Sequence, residues 1–305
     1  MAQPSVSAPP RSGRSRAARA WLMAYAFVLP ALGFTILFEY APMLDGIYHS
    51  FFRWNGANLE RFVGFDNFRA IVRDDMFWES VSNMLFFLFF NLVLMIPTIV
   101  ACIALVRIKS QRAQYVYRIL YCLPMVIPMI VTLLLWQFMY NPQYGFFNQF
   151  LTSIGLEEWK QLWLGDPNLA KWCILFLNFP WIVTVHALIY LGGLQSVDSS
   201  IWDAASIDGV GPVKRAFYLE LPLIKGQFKL NVIGVLAGTI TGYSTQLILT
   251  NGGPGYATLV PGLYMYQKAF GKQVDFGYAS AVGLMLFAIA LLISIVTMKY
   301  IRSED

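Results

Sequence analysis

The chain has 305 residues, of which 57% are hydrophobic and 13% are charged, and its mean hydropathy is +0.56. Soluble domains contain about 45–50% apolar and about 25% charged residues, so this composition excludes an ordinary soluble enzyme or binding domain. The net charge of +5 would suggest a nucleic-acid partner in a soluble protein, but in a membrane protein it reflects where the loops lie. We therefore expect a bilayer protein and no nucleic-acid partner.

Residues 1–20 are rich in Ser, Ala, Pro and Arg, a composition that predicts a disordered basic tail on the cytoplasmic side. The apolar run that follows, residues 21–38, is longer than the core of a signal peptide and precedes no A-x-A cleavage site. It is predicted to remain as the first membrane span.

Apolar segments of about 20 or more residues, the length that crosses a bilayer, recur six times along the chain. They lie near residues 21–42, 82–106, 117–139, 171–191, 230–249 and 277–298. Because no water satisfies backbone groups at mid-bilayer, these segments must be helical. The sequence predicts one all-α, polytopic domain over residues 21–302, with six transmembrane helices.

Lysine and arginine residues predict the orientation of these spans. The tail, the 107–118 connection, the loop after the fourth span and the C-terminal end hold 14 of the 22 basic residues. Both termini are therefore predicted to be cytoplasmic, with segments 43–77, 140–166 and 250–276 outside.

Prolines interrupt three of the predicted spans, at Pro97, Pro124, Pro128 and Pro180. A proline inside a helix removes a hydrogen bond and bends the helix. Two interpretations remain open: ordinary kinks, or broken helices that line a solute pathway.

The segment between the fourth and fifth spans, residues 198–228, is predicted to form two short helices. Ser199 or Ser200 can cap the first helix, and Ser200 with Asp203 is similar to a capping box. Gly209 is expected to end it in a left-handed conformation. The apolar positions of this helix are Ile201, Ala204, Ala205 and Ile207.

Pro212 suits the opening turn of the second helix, and Pro222 is expected to close it. Apolar residues follow Pro212 at helical spacing, at Val213, Phe217, Tyr218 and Leu221. Such a pair of helices would fit a groove on another protein. The alternative is a helix pair that lies on the lipid headgroups.

The pattern Asp203-Ala204-Ala205-x-Ile207-Asp208-Gly209, followed by Pro222, resembles the EAA loop of binding-protein-dependent ABC importer permeases. Asp replaces the usual Glu at the first position, and Val210 replaces the commoner Ala. Both changes keep the charge sign or the apolar character of the position. Three further segments resemble the sugar-type subfamily: FVGFDNF at residues 62–68, LTNGGP at 249–254 and FGYASA at 276–281.

This resemblance implies a permease that docks on a separate cytoplasmic ATPase, in a bacterial or archaeal cell membrane. The chain contains no G-x-x-x-x-G-K-[ST] motif, so ATP and Mg are expected on the ATPase, with no cofactor in this chain. The implied partners are ATPase subunits, a second permease subunit, a solute-binding protein and a carbohydrate. The coupling residues are expected to be Asp203, Ala204, Ala205, Ile207, Asp208, Gly209, Phe217 and Pro222.

Polar side chains within the spans indicate where a solute could pass, since such groups are costly against lipid. Thr239, Tyr243 and Gln246 share one face of the predicted fifth span, and Asn178 and Trp181 lie in the fourth. These residues could bind a sugar. They could equally pack and form hydrogen bonds between helices.

Three other functions remain to be weighed against an importer. A membrane-embedded assembly factor could use the same loop to hold a partner without moving a solute. An intramembrane enzyme would need paired Asp, H-E-x-x-H or G-x-S-x-G motifs, which the spans lack. A secondary transporter would need charged residues at mid-span for ion coupling, and these are absent from the sequence of the spans.

Overall fold

The computed structural model describes residues 13–300, which are predominantly helical. The α-helices in chain order are α1 (Gly13–Thr35), α2 (Ala41–His49), α3 (Asp66–Val72), α4 (Asp75–Val93), α5 (Met95–Val106), α6 (Gln111–Val126), α7 (Met129–Met139), α8 (Phe146–Ser153), α9 (Ala170–Phe176), α10 (Thr184–Gln195), α11 (Ser199–Ile207), α12 (Pro212–Arg215), α13 (Leu221–Leu223), α14 (Lys225–Thr241), α15 (Ser244–Leu249), α16 (Pro261–Phe270) and α17 (Phe276–Tyr300). A short 3₁₀ helix covers Glu157–Trp159.

An antiparallel hairpin of β1 (Phe52–Trp54) and β2 (Glu60–Phe62) supplements the helices. Phe52 pairs with Phe62, and Trp54 pairs with Glu60. The predicted all-α class therefore holds for the spans, while this small sheet was not predicted.

The predicted tail differs in part from the structure. Residues 1–12 lie outside the described part of the chain, but residues 13–20 already belong to α1. This stretch contains Ala17, Ala18 and Ala20, and alanine is the strongest helix former. The first helix therefore begins before the apolar run.

Within residues 13–300, three helical segments are long and apolar enough to cross a membrane: Trp21–His49, Asp75–Val106 and Phe276–Thr297. A fourth is formed if Gln111–Val126 and Met129–Met139, bent by 85° at their junction, are one span. The predicted fourth and fifth spans are not continuous helices. The fourth is interrupted between α9 and α10, and the fifth between α14 and α15.

The predicted proline interruptions are visible in the structure. Pro128 separates α6 from α7, and Pro180 lies in the gap between α9 and α10. The helix containing Pro97 breaks three residues earlier, at Leu94, close to where a proline ring crowds the preceding turn. Pro124 lies inside α6, which ends two residues later.

Two hydrophobic cores are stacked along the helices. Buried side chains of α4, α7, α9, α14, α15, α16 and α17 form the first core, which includes Phe87 and Ile240. The second, formed largely by α5, α10 and α14, includes Leu88 and Val235. Since α4 changes core between Phe87 and Leu88, the boundary lies near the middle of the span Asp75–Val106.

Candidate functional site

The first helix of the 198–228 loop, α11, is capped by Asp198. Its carboxylate accepts a hydrogen bond of 2.8 Å from the Ser200 backbone N–H. The prediction that Ser199 or Ser200 caps this helix is therefore wrong, because both residues already lie within its first turn. Hydrogen bonds from the Ser200 side chain and backbone hold the pKa of Asp198 below its ordinary value.

Gly209 ends α11, as predicted. Its φ of +65° is in the left-handed region that favours glycine. Its N–H donates to the Ser206 carbonyl at 3.3 Å, and the Val210 N–H donates to the Ala205 carbonyl at 3.1 Å. These two bonds form a Schellman motif. The turn thereby sets the angle between the two loop helices.

Pro212 opens the second loop helix, α12, as predicted. Pro222 does not close it, contrary to the prediction. A π-helical turn at Ala216–Glu220 continues into α13, where Pro222 lies in the first turn, and the helix ends at Leu223. The Leu221 N–H bonds to the Ala216 carbonyl, and this wider turn precedes the proline. A second π turn, Ile36–Tyr40, precedes Pro42 in the same way.

The 198–228 loop exposes large apolar side chains. Ile207 is 85% exposed, Phe217 64% and Tyr218 76%. Asp203, Ala204, Asp208 and Pro222 are also exposed, whereas Ala205 is buried. A notch of about 420 Å³, lined by residues 208–214, opens between the two helices. Most of the predicted coupling residues thus lie on one accessible segment.

Below this surface lies a group of charges that sequence reasoning missed, here called the arginine–glutamate cluster: Arg107, Arg215 and Glu220. Glu220 is 1% exposed. Arg107 donates to both of its carboxylate oxygens, at 3.0 and 2.6 Å, and Arg215 donates to one of them at 3.0 Å. Arg107 also donates to the Pro212 carbonyl at 2.7 Å. The second loop helix is thus attached at both ends to the residue that follows α5.

The cluster reaches the first loop helix through Trp202. The Arg215 guanidinium lies 4.7 Å from the centroid of this indole ring, within the range of a cation–π interaction. One acidic residue inside the apolar run AFYLELPL was the available signal for a buried carboxylate. Its partner Arg107, separated from it by 113 positions, could not be read from the sequence.

The interruption of the fourth predicted span lies between the two hydrophobic cores, whereas that of the fifth lies within the first core, between Ile240 and Leu249. In the fourth predicted span, α9 contributes to the first core and α10 to the second. In the fifth, α14 reaches the first core at Ile240 and ends shortly after it, before Gly242 and Tyr243. Irregular backbone at membrane depth is tolerated where it is buried in protein or lines a cavity with water.

Two predicted pathway residues, Asn178 and Trp181, lie in the gap between α9 and α10. Asn178 is exposed and Trp181 is half-buried. The Trp181 indole N–H donates to the Leu175 carbonyl at 3.0 Å. Its ring contacts two further aromatic residues, Phe179 at 4.9 Å and Phe176 at 6.0 Å between centroids. These two residues, which both precede Pro180, were not predicted as part of the site.

The other predicted pathway residues, Thr239, Tyr243 and Gln246, do not share one helical face. The helix is interrupted between Thr239 and Tyr243, where Gly242 adopts an extended conformation with ψ of 137°. Thr239 accepts a hydrogen bond from Asn91 on α4 at 3.3 Å, Tyr243 stacks on Tyr266 at 5.4 Å, and Gln246 is buried. Thr239 and Tyr243 therefore contact residues of other helices, as the alternative interpretation of these polar residues expects.

The opposite end of the span Asp75–Val106 is closed by a second assembly, here called the cap: residues 50–75 and 250–278. The side chain of Asn67 donates to the carbonyls of Ser50 and Phe52, at 2.9 and 2.8 Å. The side chain of Asn83 on α4 donates to the carbonyls of Tyr256 and Leu259, both at 2.9 Å. The FVGFDNF segment lies in the cap, as do residues 250–254 of the LTNGGP segment.

Asp74 is the polar centre of the cap. Its carboxylate accepts hydrogen bonds from the hydroxyls of Tyr264 and, at 3.1 Å, Tyr278, and it caps α4 by accepting from the Met76 N–H at 2.9 Å. Burial alone would raise the pKa of Asp74, but these hydrogen bonds lower it below its ordinary value. Residues 13–300 contain no group of three or more His, Cys, Asp or Glu side chains that could hold a metal ion.

Comparisons with known proteins identify the family. Residues 70–301 match the model of the binding-protein-dependent transport system inner membrane component. The chain is 31% identical to a probable ABC transporter permease protein, YurN, of Bacillus subtilis, over 92% of this chain and 97% of that protein. It is 30% identical to the diacetylchitobiose uptake system permease protein NgcF of Streptomyces coelicolor, over 92% of this chain and 84% of that protein.

The fold is similar to that of a solved structure, a bacterial alginate ABC transporter in complex with a periplasmic protein that holds an alginate pentasaccharide. The TM-score is 0.81 at 20% identity, over 94% of this chain and 96% of the matched chain. With the sequence match over residues 70–301, the resemblance to ABC importer permeases is confirmed, and the chain belongs to the binding-protein-dependent transport system inner membrane components.

Proposed function

We propose that this chain is the permease subunit of an ATP-driven importer that moves a carbohydrate delivered by an extracytoplasmic solute-binding protein. The observation that carries the proposal is the 198–228 loop, whose fixed helix pair presents Ile207, Phe217 and Tyr218 to solvent. Exposed apolar residues around a shaped notch are typical of a helix that docks in a groove of another protein. The partner is a separate ATPase, which binds ATP and Mg and performs the hydrolysis.

Within this docking surface, the loop residues have different roles. Asp203 and Asp208 provide polar anchoring to the ATPase, and Ile207 and Phe217 provide apolar contact. Gly209 keeps the helix pair at a fixed angle, so that the loop moves as a rigid lever between two states.

We further propose six spans, three of which are broken: α6 with α7, α9 with α10, and α14 with α15. The loop, the 107–118 connection and both termini lie in the cytoplasm, since these segments together with Lys229 hold 14 of the 22 basic residues. The cap then lies outside, where it would receive the solute-binding protein. The first span, which contributes no buried side chains within its most apolar 18 residues, faces lipid and a second permease subunit.

A carbohydrate is the solute class that best fits the broken fourth span. Phe179 is 55% exposed beside Asn178 and Trp181, so this gap offers aromatic faces next to an amide. Aromatic walls with a few polar groups are typical of sites for small polar ligands. The relatives named for diacetylchitobiose and alginate support the same class.

The test is uptake by vesicles that contain the complete complex of permease subunits and ATPase, with the solute-binding protein outside and ATP inside. We expect ATP-dependent accumulation of at least one member of a panel of radiolabelled mono- and oligosaccharides. A complex that assembles and hydrolyses ATP but accumulates no carbohydrate would favour the assembly factor over the importer.

A further inference from the structure

The span Asp75–Val106 connects the two parts of the molecule that transport must coordinate. Its second helix, α5, ends next to Arg107, which holds the 198–228 loop through Glu220 and the Pro212 carbonyl. Near the other end of α5, Thr98 contacts the gap between α9 and α10 that interrupts the fourth span. About 13 Å of helix axis separates positions 98 and 107, at 1.5 Å per residue.

The contact at Thr98 consists of two hydrogen bonds made by one buried hydroxyl. Thr98 is fully buried. Its hydroxyl donates to the Trp181 carbonyl at 2.8 Å and accepts from the Val183 N–H at 3.2 Å. These are the backbone groups that the missing helical turn between α9 and α10 leaves without helical partners. One side chain of α5 thus supports the conformation of the gap, including Trp181, whose φ is +60°.

The contact at Arg107 is equally specific. A carboxylate that is 1% exposed is costly to bury, and two arginines compensate for this cost only in a well-defined geometry. A buried ion cluster is weak evidence for stability alone, because apolar residues of similar volume often serve as well. Its geometry does fix the position of the second loop helix relative to α5.

We propose that α5 is the element that transmits loop movement to the solute pathway, with Arg107 and Glu220 as positioning residues at one end and Thr98 at the other. Movement of the 198–228 loop displaces α5 through the arginine–glutamate cluster. The displaced Thr98 hydroxyl then shifts the Trp181 carbonyl and the aromatic side chains around the gap. This proposal rests on the proposed function, because it assumes that the loop couples to an ATPase.

The packing of α5 supports this route. Its side chains Met95, Ile99, Cys102 and Ile103 belong to the second core with Tyr190 and Leu194 of α10. Close-packed interiors deform little and pass displacement on to their neighbours. Since α10 follows the gap directly, α5 and α10 move together. The gap between α9 and α10 then absorbs the displacement of α10 relative to α9.

The test is a double-mutant cycle of Thr98→Val and Arg107→Lys in the complete vesicle system, with solute moved per ATP hydrolysed as the readout. Thr98→Val keeps the shape and removes both hydrogen bonds. Arg107→Lys keeps the charge but cannot hold both carboxylate oxygens as a guanidinium does. We expect each variant to lower solute moved per ATP about fivefold or more, and the double variant to lower it no further than the stronger single one.

Two matched controls separate transmission from general damage. Thr297→Val removes only a hydrogen bond to the Ile293 carbonyl of its own helix. Glu79 is an exposed carboxylate on α4, so Glu79→Gln is the control for Glu220→Gln. Both controls should keep the wild-type ratio, while Glu220→Gln lowers it and Glu220→Asp restores part of it. Copurification of each variant with the ATPase shows that the complex has assembled.

Wild-type vesicles that fail to import any solute would contradict the proposed function itself. Wild-type vesicles that import, together with Thr98→Val and Arg107→Lys variants that assemble and keep the wild-type ratio, would overturn only the role of α5. Additive losses in the double variant would also overturn it, because independent effects mean that the two ends are not coupled.

Discussion

The 198–228 loop and the cap lie at opposite ends of the span Asp75–Val106 and differ in how their buried polar groups are bonded. In the cap, Asn67 and Asp74 bond to other cap residues, and Asn83 of α4 donates to two carbonyls of the cap. In the loop, the buried carboxylate of Glu220 bonds to Arg107 and Arg215 and fixes the second loop helix. Large apolar side chains of the loop remain exposed. Both regions expose large apolar side chains, which in the cap include Phe62, Phe65 and Phe270. The two ends therefore differ in how their polar groups are bonded, and not in apolar exposure.

The largest expected effect lies in the cap, at Gly277. A Cβ at this position would collide with the Phe52 carbonyl oxygen and lie 3.0 Å from the Trp54 nitrogen, both in the backbone of β1. Gly277→Ala should therefore destabilise the chain by about 2 to 3 kcal/mol. The measurement is the apparent Tm of the purified chain in detergent.

Gly46→Ala is the matched control, because Gly46 lies in α2 with no atom within 4 Å of the added Cβ. It should leave Tm unchanged or slightly higher. Gly277→Ala should bind the ATPase as the wild type does. An unchanged Tm for Gly277→Ala would show that the cap is more adaptable than its contacts indicate.

The second effect separates docking from folding in the loop. Phe217→Ala should weaken binding of the ATPase by about 2 kcal/mol, roughly 30-fold in Kd, if this side chain is a central contact. Stability of the chain alone should change by less than about 0.5 kcal/mol, since the ring is exposed. Titration of the ATPase onto the chain in detergent measures the first quantity, and Tm the second.

Phe270→Ala provides the comparison in the cap, because Phe270 has the same exposed fraction, 64%. It should leave ATPase affinity unchanged. Equal losses of affinity in both variants would mean that the loop is not the docking surface.

A smaller effect is expected at the turn between the loop helices. Gly209→Ala places a side chain at φ of +65° and should cost about 1 to 2 kcal/mol, or reorient the second helix. Gly211→Ala is the control, since Gly211 has φ of −64° and no atom within 4 Å of an added Cβ. Solute uptake should fall for the first variant and not for the second; a reversed order would remove the turn from the coupling role.

The smallest effect is a pH dependence in the cap. Asp74→Asn retains one acceptor and a helix cap, so the loss should be roughly 0.5–1 kcal/mol at neutral pH. Because the pKa of Asp74 is lowered by folding, its contribution is full above the ordinary value of 3.8 and lost as the pH falls through the folded value. The difference in Tm between wild type and variant should narrow below about pH 4. A difference independent of pH would contradict the role of the charge.

Local signals in the sequence predicted much of the loop but only part of the pathway. The stop at Gly209 and the start at Pro212 depend on nearest neighbours, and both predictions were confirmed. The predicted helix end at Pro222 was wrong, because a π turn before the proline lets the helix continue to Leu223. The capping role of Asp198 was missed because two serines next to it are also good caps.

Contacts between distant positions explain the rest of what was missed. The interruption at Gly242 and Tyr243 lies in an apolar run without proline, so hydropathy shows one continuous span. The pairing of Arg107 with Glu220 and the support of Trp181 by Thr98 join residues 113 and 83 positions apart. A single sequence contains no signal for such pairs.

The most direct test of the account is ATP-driven carbohydrate uptake by vesicles that contain the complete complex, with wild type compared to a chain that lacks residues 203–207. The account predicts that the shortened chain still inserts and keeps its cap, while uptake and uptake-linked ATP turnover are both lost. Uptake and ATP turnover that survive the deletion would contradict the claim that the 198–228 loop couples ATP hydrolysis to transport.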